Sequence, residues 1–249
     1  MPLGGGFRFA GAAGARSLLR ARRGTAHNDR DQTVGERRVP EATVARLPLY
    51  LQALVEASEA GTLTLSSDDL AQASGLNSAK VRKDLSFLGT YGTRGVGYNV
   101  AELTTEISQV LGLTDDRGVV IVGVGNLGSA LASYDGFDRR GFRVIALLDA
   151  GADRIGAQVG RHRVQDAAKL AQIVKEHEVT FVVIAVPAEQ AQGVADTAID
   201  AGVTALLIFA PTHLSVPQHV TCRTVDLSTE LQILSFYEHL SDTRSAATG

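Results

Sequence analysis

The residues from Val119 to Asp149 restrict the possible fold more than any other stretch of this chain. They begin as an apolar, β-branched run, Val119 to Val122, and break into G-x-G-x-x-G at Gly123, Gly125 and Gly128. A helix-compatible segment, Ser129 to Tyr134, follows, and a second apolar run, Val144 to Leu148, closes on the carboxylate of Asp149. Strand, glycine turn, helix, strand and acid in this order are the parts of a β-α-β dinucleotide site. Gly123 permits the tight turn, Gly125 lets backbone N–H groups approach a pyrophosphate, and Gly128 lets the helix pack on the sheet. Asn126 and Leu127 lie where the helix N-terminus would hold phosphates. Asp149 stands 21 positions after Gly128, where a carboxylate accepts from ribose hydroxyls and repels a 2′-phosphate, so NAD(H) is favoured over NADP(H). In a chain with 26 glycines the spacing alone would say little; the agreement of all the parts carries the reading.

Downstream, a helix over 166–177 leads to the apolar strand Phe181 to Val186, and a helix over 188–201 leads to the strand Ala205 to Phe209. Continuous apolar runs separated by helices predict a parallel sheet covered on both faces. Pro187 and Pro211 each follow a strand at the carboxyl edge, where open α/β sheets bind ligands; each reads equally as a ligand contact or a plain strand stop. A strand from Val220 to Val225 ends at Asp226. The amphipathic stretch Ser228 to Leu240, with Leu231, Leu234 and Tyr237, then predicts a terminal helix that serves as a dimer contact.

The N-terminal half has a different pattern. Leu47, Tyr50, Leu51, Leu54 and Val55 mark the apolar stripe of a helix that stops near Gly61. Ser66 or Ser67 caps a second helix over 68–73, ended by Gly75, and Asn77 or Ser78 starts a third, with Val81, Leu85 and Leu88 inward and Ala79, Lys83 and Ser86 outward. Two helices around a short turn, the second carrying Lys80, Arg82 and Lys83, form a helix-turn-helix pattern. Residues 89–98, four glycines interleaved with Tyr and Arg, read as a β-hairpin wing. Charges over 46–100 balance, but 80–94 hold four cations against Asp84 alone. That clustering puts positive charge where a winged helix meets DNA.

Residues 1–40 carry eight Arg against three acids and no sustained periodicity, the composition of a disordered basic tail. A single Cys222 excludes an internal disulfide framework and fits a reducing cytoplasm. No apolar run reaches the 18 or more residues of a membrane span. The six histidines (27, 162, 177, 213, 219, 239) show neither metal-ligand nor nucleophile–base spacing, so no metal and no catalytic group is expected.

Taken together, the segments 46–50 (RLPLY), 81–85 (VRKDL), 91–98 (YGTRGVGY), 122–131 (VGVGNLGSAL), 185–188 (AVPA), 209–211 (FAP) and 225–227 (VDL) resemble the Rex family of redox-sensing transcriptional repressors over about residues 40–240. The resemblance implies a cytoplasmic homodimer whose C-terminal helix is exchanged between subunits, bound to a palindromic DNA operator and released when NADH replaces NAD⁺. It places Tyr134 near the nicotinamide. Many members carry an arginine two residues after the tyrosine matching Tyr50, paired across the dimer with the aspartate matching Asp226; this chain has Gln52 there.

The expected fold is therefore α/β: a basic tail (1–40), a winged-helix DNA-binding domain (41–100), a bridging helix (101–113), a Rossmann NAD(H)-binding domain (114–226) and a domain-swapped dimerisation helix (227–241). The expected cofactor contacts are Gly123, Gly125, Asn126, Leu127, Gly128, Tyr134, Asp149 and Pro187. Those to DNA are Arg46, Ser78, Lys80, Arg82, Lys83, Tyr91 and Arg94, and the interdomain switch is Gln52 with Asp226. The rival readings are an NAD-dependent dehydrogenase with a helical appendage, and a DNA-binding sensor of another nucleotide such as coenzyme A.

Overall fold

An inward stripe at helical spacing organises the first domain in this computed structural model, which describes residues 39–89, 92, 93 and 95–246, with side chains through residue 239. The expected tail lies almost wholly outside the described residues. From Val39 on the chain forms one unit. Its elements are α1 (Glu41–Val44), α2 (Leu47–Glu59), β1 (Thr64–Leu65), α3 (Ser67–Ser74), α4 (Ser78–Leu88), β2 (Tyr98–Asn99) and α5 (Val100–Val110). Leu47, Tyr50 and Leu54 of α2, Leu70 of α3, Val81 and Leu85 of α4, and Leu103 and Ile107 of α5 share one buried cluster. Val55, expected on the same stripe, is 42% exposed.

The caps are specific. Ser66 accepts from the Asp69 amide while the Asp69 carboxylate accepts from the Ser66 amide, each at 3.1 Å, a reciprocal box that starts α3. Asn77, rather than Ser78, caps α4 by accepting from the Lys80 amide at 2.8 Å.

The wing pairs beyond the expected hairpin. Tyr98 and Asn99 pair antiparallel with Leu65 and Thr64, so β1 precedes the recognition helices and β2 follows them. Within 89–98 there is a single described bridge, Thr93 to Gly97. Gly97 has φ +98°, and a Cβ there would overlap the Leu65 carbonyl, so glycine is what lets the wing close on β1.

One buried carboxylate ties α1, α2 and α4 together. Asp84, 1% exposed, accepts from Thr43 Oγ1 at 2.8 Å, from Tyr50 OH at 2.8 Å, and from both Nε and Nη2 of Arg46 at 2.6 and 2.7 Å. Burial alone would raise the Asp84 pKa, but the hydrogen bonds from Arg46, Tyr50 and Thr43 outweigh it and hold the carboxyl below its usual range. Burial, reinforced by the hydrogen bond to Asp84, pushes the Tyr50 phenol up.

The second domain consists of β3 (Arg117–Val122), α6 (Asn126–Ala132), a 3₁₀ turn (Asp138–Arg140), β4 (Phe142–Asp149), β5 (Gln158–Val159), β6 (His162–Asp166), a 3₁₀ turn (Ala167–Lys169), α7 (Leu170–Glu176), β7 (Phe181–Ile184), α8 (Ala188–Ala201), β8 (Ala205–Ile208), β9 (Thr221–Thr224) and α9 (Leu227–Ala246). The sheet order is β5-β6-β4-β3-β7-β8-β9, parallel throughout except for the β5–β6 edge hairpin. Counted from β3 and omitting β5, this is the 3-2-1-4-5-6 order of a Rossmann sheet, with the switch point between β3 and β7. Val120, Val122, Leu148, Ile184 and Ile208 face α7 and α8, while Val119, Ile121, Leu147 and Val183 face the α6 side.

The expected helix over 166–177 is corrected by this topology: its first residue ends β6, a 3₁₀ turn follows, and α7 begins only at Leu170. The strand escaped notice because His162-Arg-Val-Gln-Asp166 buries Val164 alone.

Asp84→Ala is expected to destabilise the protein by about 3–5 kcal/mol, because it leaves the Arg46 charge and two buried hydroxyls unpaired; urea unfolding measures this. With the Asp84 pKa lowered when folded, its contribution is present above the unfolded value of about 4 and is lost as pH falls through the folded value. With the Tyr50 pKa raised, its contribution is present below about 10 and is lost as pH rises. Stability measured against pH should therefore fall at both ends, and Asp84→Ala should remove the acid limb of that difference.

Candidate nucleotide and nucleic-acid sites

The nucleotide site is assembled where β3 and β7 end side by side. A Cβ on Gly123, which has φ +96°, would stand 2.5 Å from the Ala185 carbonyl oxygen, and a Cβ on Gly128 would overlap the carbonyl oxygen of Gly123. These two glycines let α6 sit down on the strand ends. Gly125 is different: its φ is −71° and nothing lies within 4 Å of where its Cβ would be. Neither backbone strain nor packing demands glycine there, whereas a pyrophosphate against the turn would. The first N–H groups of α6, those of the exposed Asn126 and Leu127 among them, have no acceptor within the helix. Pro187 caps α8 immediately beyond β7, on the same edge.

Asp149 ends β4 beside this turn. Its Oδ2 accepts from the Val124 amide at 2.6 Å and its Oδ1 from the Gly151 amide at 2.7 Å. Two of its roughly four lone-pair positions are thereby used, leaving acceptor capacity for ribose hydroxyls. Arg154, which the sequence reading passed over, donates from Nη1 to the Val124 carbonyl. The peptide groups on both sides of Val124 are thus clasped from the turn that follows β4.

Tyr134 follows the helix that starts at this turn. It lies two positions past α6, is 52% exposed, and meets Phe137 edge-on at 5.5 Å. With Ser133, Asp138, Gly160 and Arg161 it lines a separate cavity of about 220 Å³.

On the first domain, Lys80, Arg82 and Lys83 of α4 are exposed and Ser78, its first residue, is half-buried. Arg82 donates to Ser67 Oγ at 2.8 Å, which fixes it against the start of α3. Arg46, expected on the DNA face, pairs with Asp84 and keeps 24% of its side chain exposed. Position 84 shares the inward stripe of Val81, Leu85 and Leu88, which marks a buried carboxylate in the sequence but not its partner. Tyr91 and Arg94 lie outside the described residues. Gln52 donates to Glu56 at 3.0 Å and accepts from Arg140 at 3.4 Å within the same chain. Asp226 accepts from the Ser228 amide at 2.9 Å and from Thr229 Oγ1 at 3.2 Å, capping α9; the Ser228 bonds hold its carboxyl below the usual range.

Among the described residues no group of three His, Cys, Asp or Glu is placed to hold a metal ion, and no helix is long and apolar enough to cross a membrane.

Fold and sites define a DNA-binding protein of the winged-helix type joined to a dinucleotide-type Rossmann domain. Residues 38–86 match the family described as "Putative DNA-binding protein N-terminus", and residues 114–212 match "CoA binding domain". The chain is 54% identical over 224 residues, 90% of its length and 86% of the relative's, to the redox-sensing transcriptional repressor Rex of Streptomyces coelicolor. It is 46% identical over 199 residues to the protein of that name from Carboxydothermus hydrogenoformans, covering 80% of this chain and 96% of that one. The chain belongs to the Rex family of redox-sensing transcriptional repressors. Among solved structures it resembles RSP, a Rex-family repressor, in complex with β-NAD⁺ and operator DNA (TM-score 0.76, 30% identity, 85% and 97% of the two chains). It likewise resembles RSP in complex with β-NADH (TM-score 0.74, 29% identity, 84% and 98%).

The two glycines of α6 should separate in their effects. Gly128→Ala is expected to destabilise the fold by about 1–3 kcal/mol or more through overpacking on Gly123. Gly125→Ala should leave thermal unfolding unchanged to within about 0.5 kcal/mol.

Proposed function

We propose that this protein is a transcriptional repressor that senses the NADH/NAD⁺ ratio: a cytoplasmic homodimer binds a palindromic operator and releases it when NADH binds. The observation that carries this reading is Gly125, a glycine required neither by the backbone nor by packing, set on an Asp149-braced turn in a chain whose α4 presents Lys80 and Lys83 to solvent. The liganded RSP structures and the repressor relatives support it. The "CoA binding domain" match favours coenzyme A as a second ligand class; Asp149 argues for NAD(H), because coenzyme A carries a phosphate on its adenosine ribose that a carboxylate there opposes.

Gly123, Gly125, Asn126, Leu127, Gly128 and Pro187 would hold the pyrophosphate end and Asp149 the adenosine ribose. When bound, the nicotinamide supplies the redox state being sensed. The coupling is one of linkage: NADH favours the arrangement that misplaces the two α4 helices relative to adjacent major grooves, and DNA favours the other. Moving such an equilibrium from 1:99 to 99:1 takes about 5.5 kcal/mol of differential binding. The exposed Leu227, Leu231, Leu234 and Tyr237 of α9 support a dimer contact there.

A gel shift on a promoter palindrome, titrated with NADH, NAD⁺, NADPH and coenzyme A, tests the reading; release by NADH is expected, and release by coenzyme A alone would replace it. Gly125→Val should abolish NADH binding in calorimetry while leaving operator binding intact. Lys83→Ala should weaken binding to all DNA sequences alike and lower the salt slope by about one if Lys83 contacts a phosphate. Gln52→Arg is expected to tighten operator binding and raise the NADH midpoint by restoring a pair with Asp226 of the partner subunit. Both values unchanged would leave Gln52 with its in-chain bonds and Asp226 with its helix cap.

A further inference from the structure

We propose that Arg140 is a positioning residue that couples the Rossmann domain to the recognition helix α4 by holding Gln52 of α2. The inference rests on the repressor reading given above and concerns how nucleotide binding reaches the DNA-reading surface.

The path runs through one helix. At its DNA end, α2 cannot shift without α4: Tyr50 OH donates to Asp84 at 2.8 Å, and Arg46, immediately before α2, donates to both Asp84 oxygens at 2.6 and 2.7 Å. Parting these groups would strand a buried charge, so the two helices move as one body. At the Rossmann end, Gln52 of α2 accepts from Arg140 Nη2 at 3.4 Å, and its own Nε2 donates to Glu56 at 3.0 Å, which turns the amide oxygen toward the guanidinium. Arg140 closes the 3₁₀ turn Asp138–Arg140, which lies in the chain between α6, the helix that begins at the glycine turn, and β4, the strand that ends at Asp149. That turn is itself braced: the Arg140 amide donates to the Phe137 carbonyl at 3.0 Å, and Asp138 accepts from Arg161 at 2.8 Å. A shift of α6 is thereby delivered to Arg140. The Arg140–Gln52 bond, in contrast, is exposed and long, and so is cheap to break. A bond made in one domain arrangement and lost in the other biases the equilibrium that NADH and operator pull in opposite directions.

The test is the NADH midpoint for release of a promoter palindrome, read by gel shift, with NADH and operator affinities measured separately, in the full-length protein. The variants are Arg140→Ala, Arg140→Lys, Gln52→Ala and the double Arg140→Ala/Gln52→Ala. Arg140→Ala should shift the midpoint by about two- to fivefold, without weakening both affinities together. Arg140→Lys should recover part of the shift. Gln52→Ala should shift the midpoint in the same direction, and the double variant no further than Arg140→Ala alone. An unchanged midpoint would show that the bond is indifferent to the arrangement, and joint weakening of both affinities that it merely supports the fold. A shift that Gln52→Ala fails to reproduce, or that adds to it in the double variant, would show that Arg140 acts through another partner; each of these results overturns the proposal. Failure of the underlying reading looks different, since NADH would then leave the wild-type protein on the operator.

Discussion

The nucleotide half of this molecule depends on one steric constraint, the absence of a Cβ at Gly123 and Gly128. Without those two gaps α6 could not rest against the ends of β3 and β7, because its backbone would meet the Ala185 and Gly123 carbonyl oxygens. Once the helix is down, its N-terminal N–H groups point over the switch point of the sheet, and the bonds from Asp149 and Arg154 fix the orientation of the intervening peptide groups. The proposed phosphate cradle and the proposed ribose acceptor are therefore set together. A change in either side of the Val124 clasp should be felt both at the pyrophosphate and at the adenosine ribose of a bound dinucleotide in the proposed pose.

The winged helix solves a different problem, which is to place a cationic helix on a small core. Asp84 is the only acid on α4, and it points inward, where Arg46, Thr43 and Tyr50 satisfy it. Its charge is neutralised inside the domain by a residue from another helix. Lys80 and Lys83 consequently face solvent with no ion-pair partner among the described residues, which is the arrangement a polyanion can use.

Much of this was legible in the sequence, because the strongest signals were periodic and local. The glycine spacing, the acid after the second strand and the inward stripes of α2, α4 and α5 each follow from one residue pattern and one packing rule. What escaped was either weakly patterned or distant. β6 buries a single valine and so lacks a strand's alternation, and the wing closes by pairing Tyr98 with Leu65 across the intervening helices. The role of Arg46 depends on a partner 38 positions away, and that of Arg154 on a backbone carbonyl 30 positions away; no local pattern encodes either.

The exposed face of α9 also bears on how the protein would behave at low abundance. Leu227, Leu231, Ile233, Leu234, Phe236 and Tyr237 are each between 46% and 66% exposed in the single chain, and burying them on a second copy would be the main gain from assembly. For the proposed homodimer, at chain concentrations below its dissociation constant, the amount of operator-competent species would rise as the square of the chain concentration. Halving synthesis would cut the dimer concentration about fourfold in that regime by mass action, so the level of expression would shift the redox threshold at which a promoter opens, alongside the affinity for NADH.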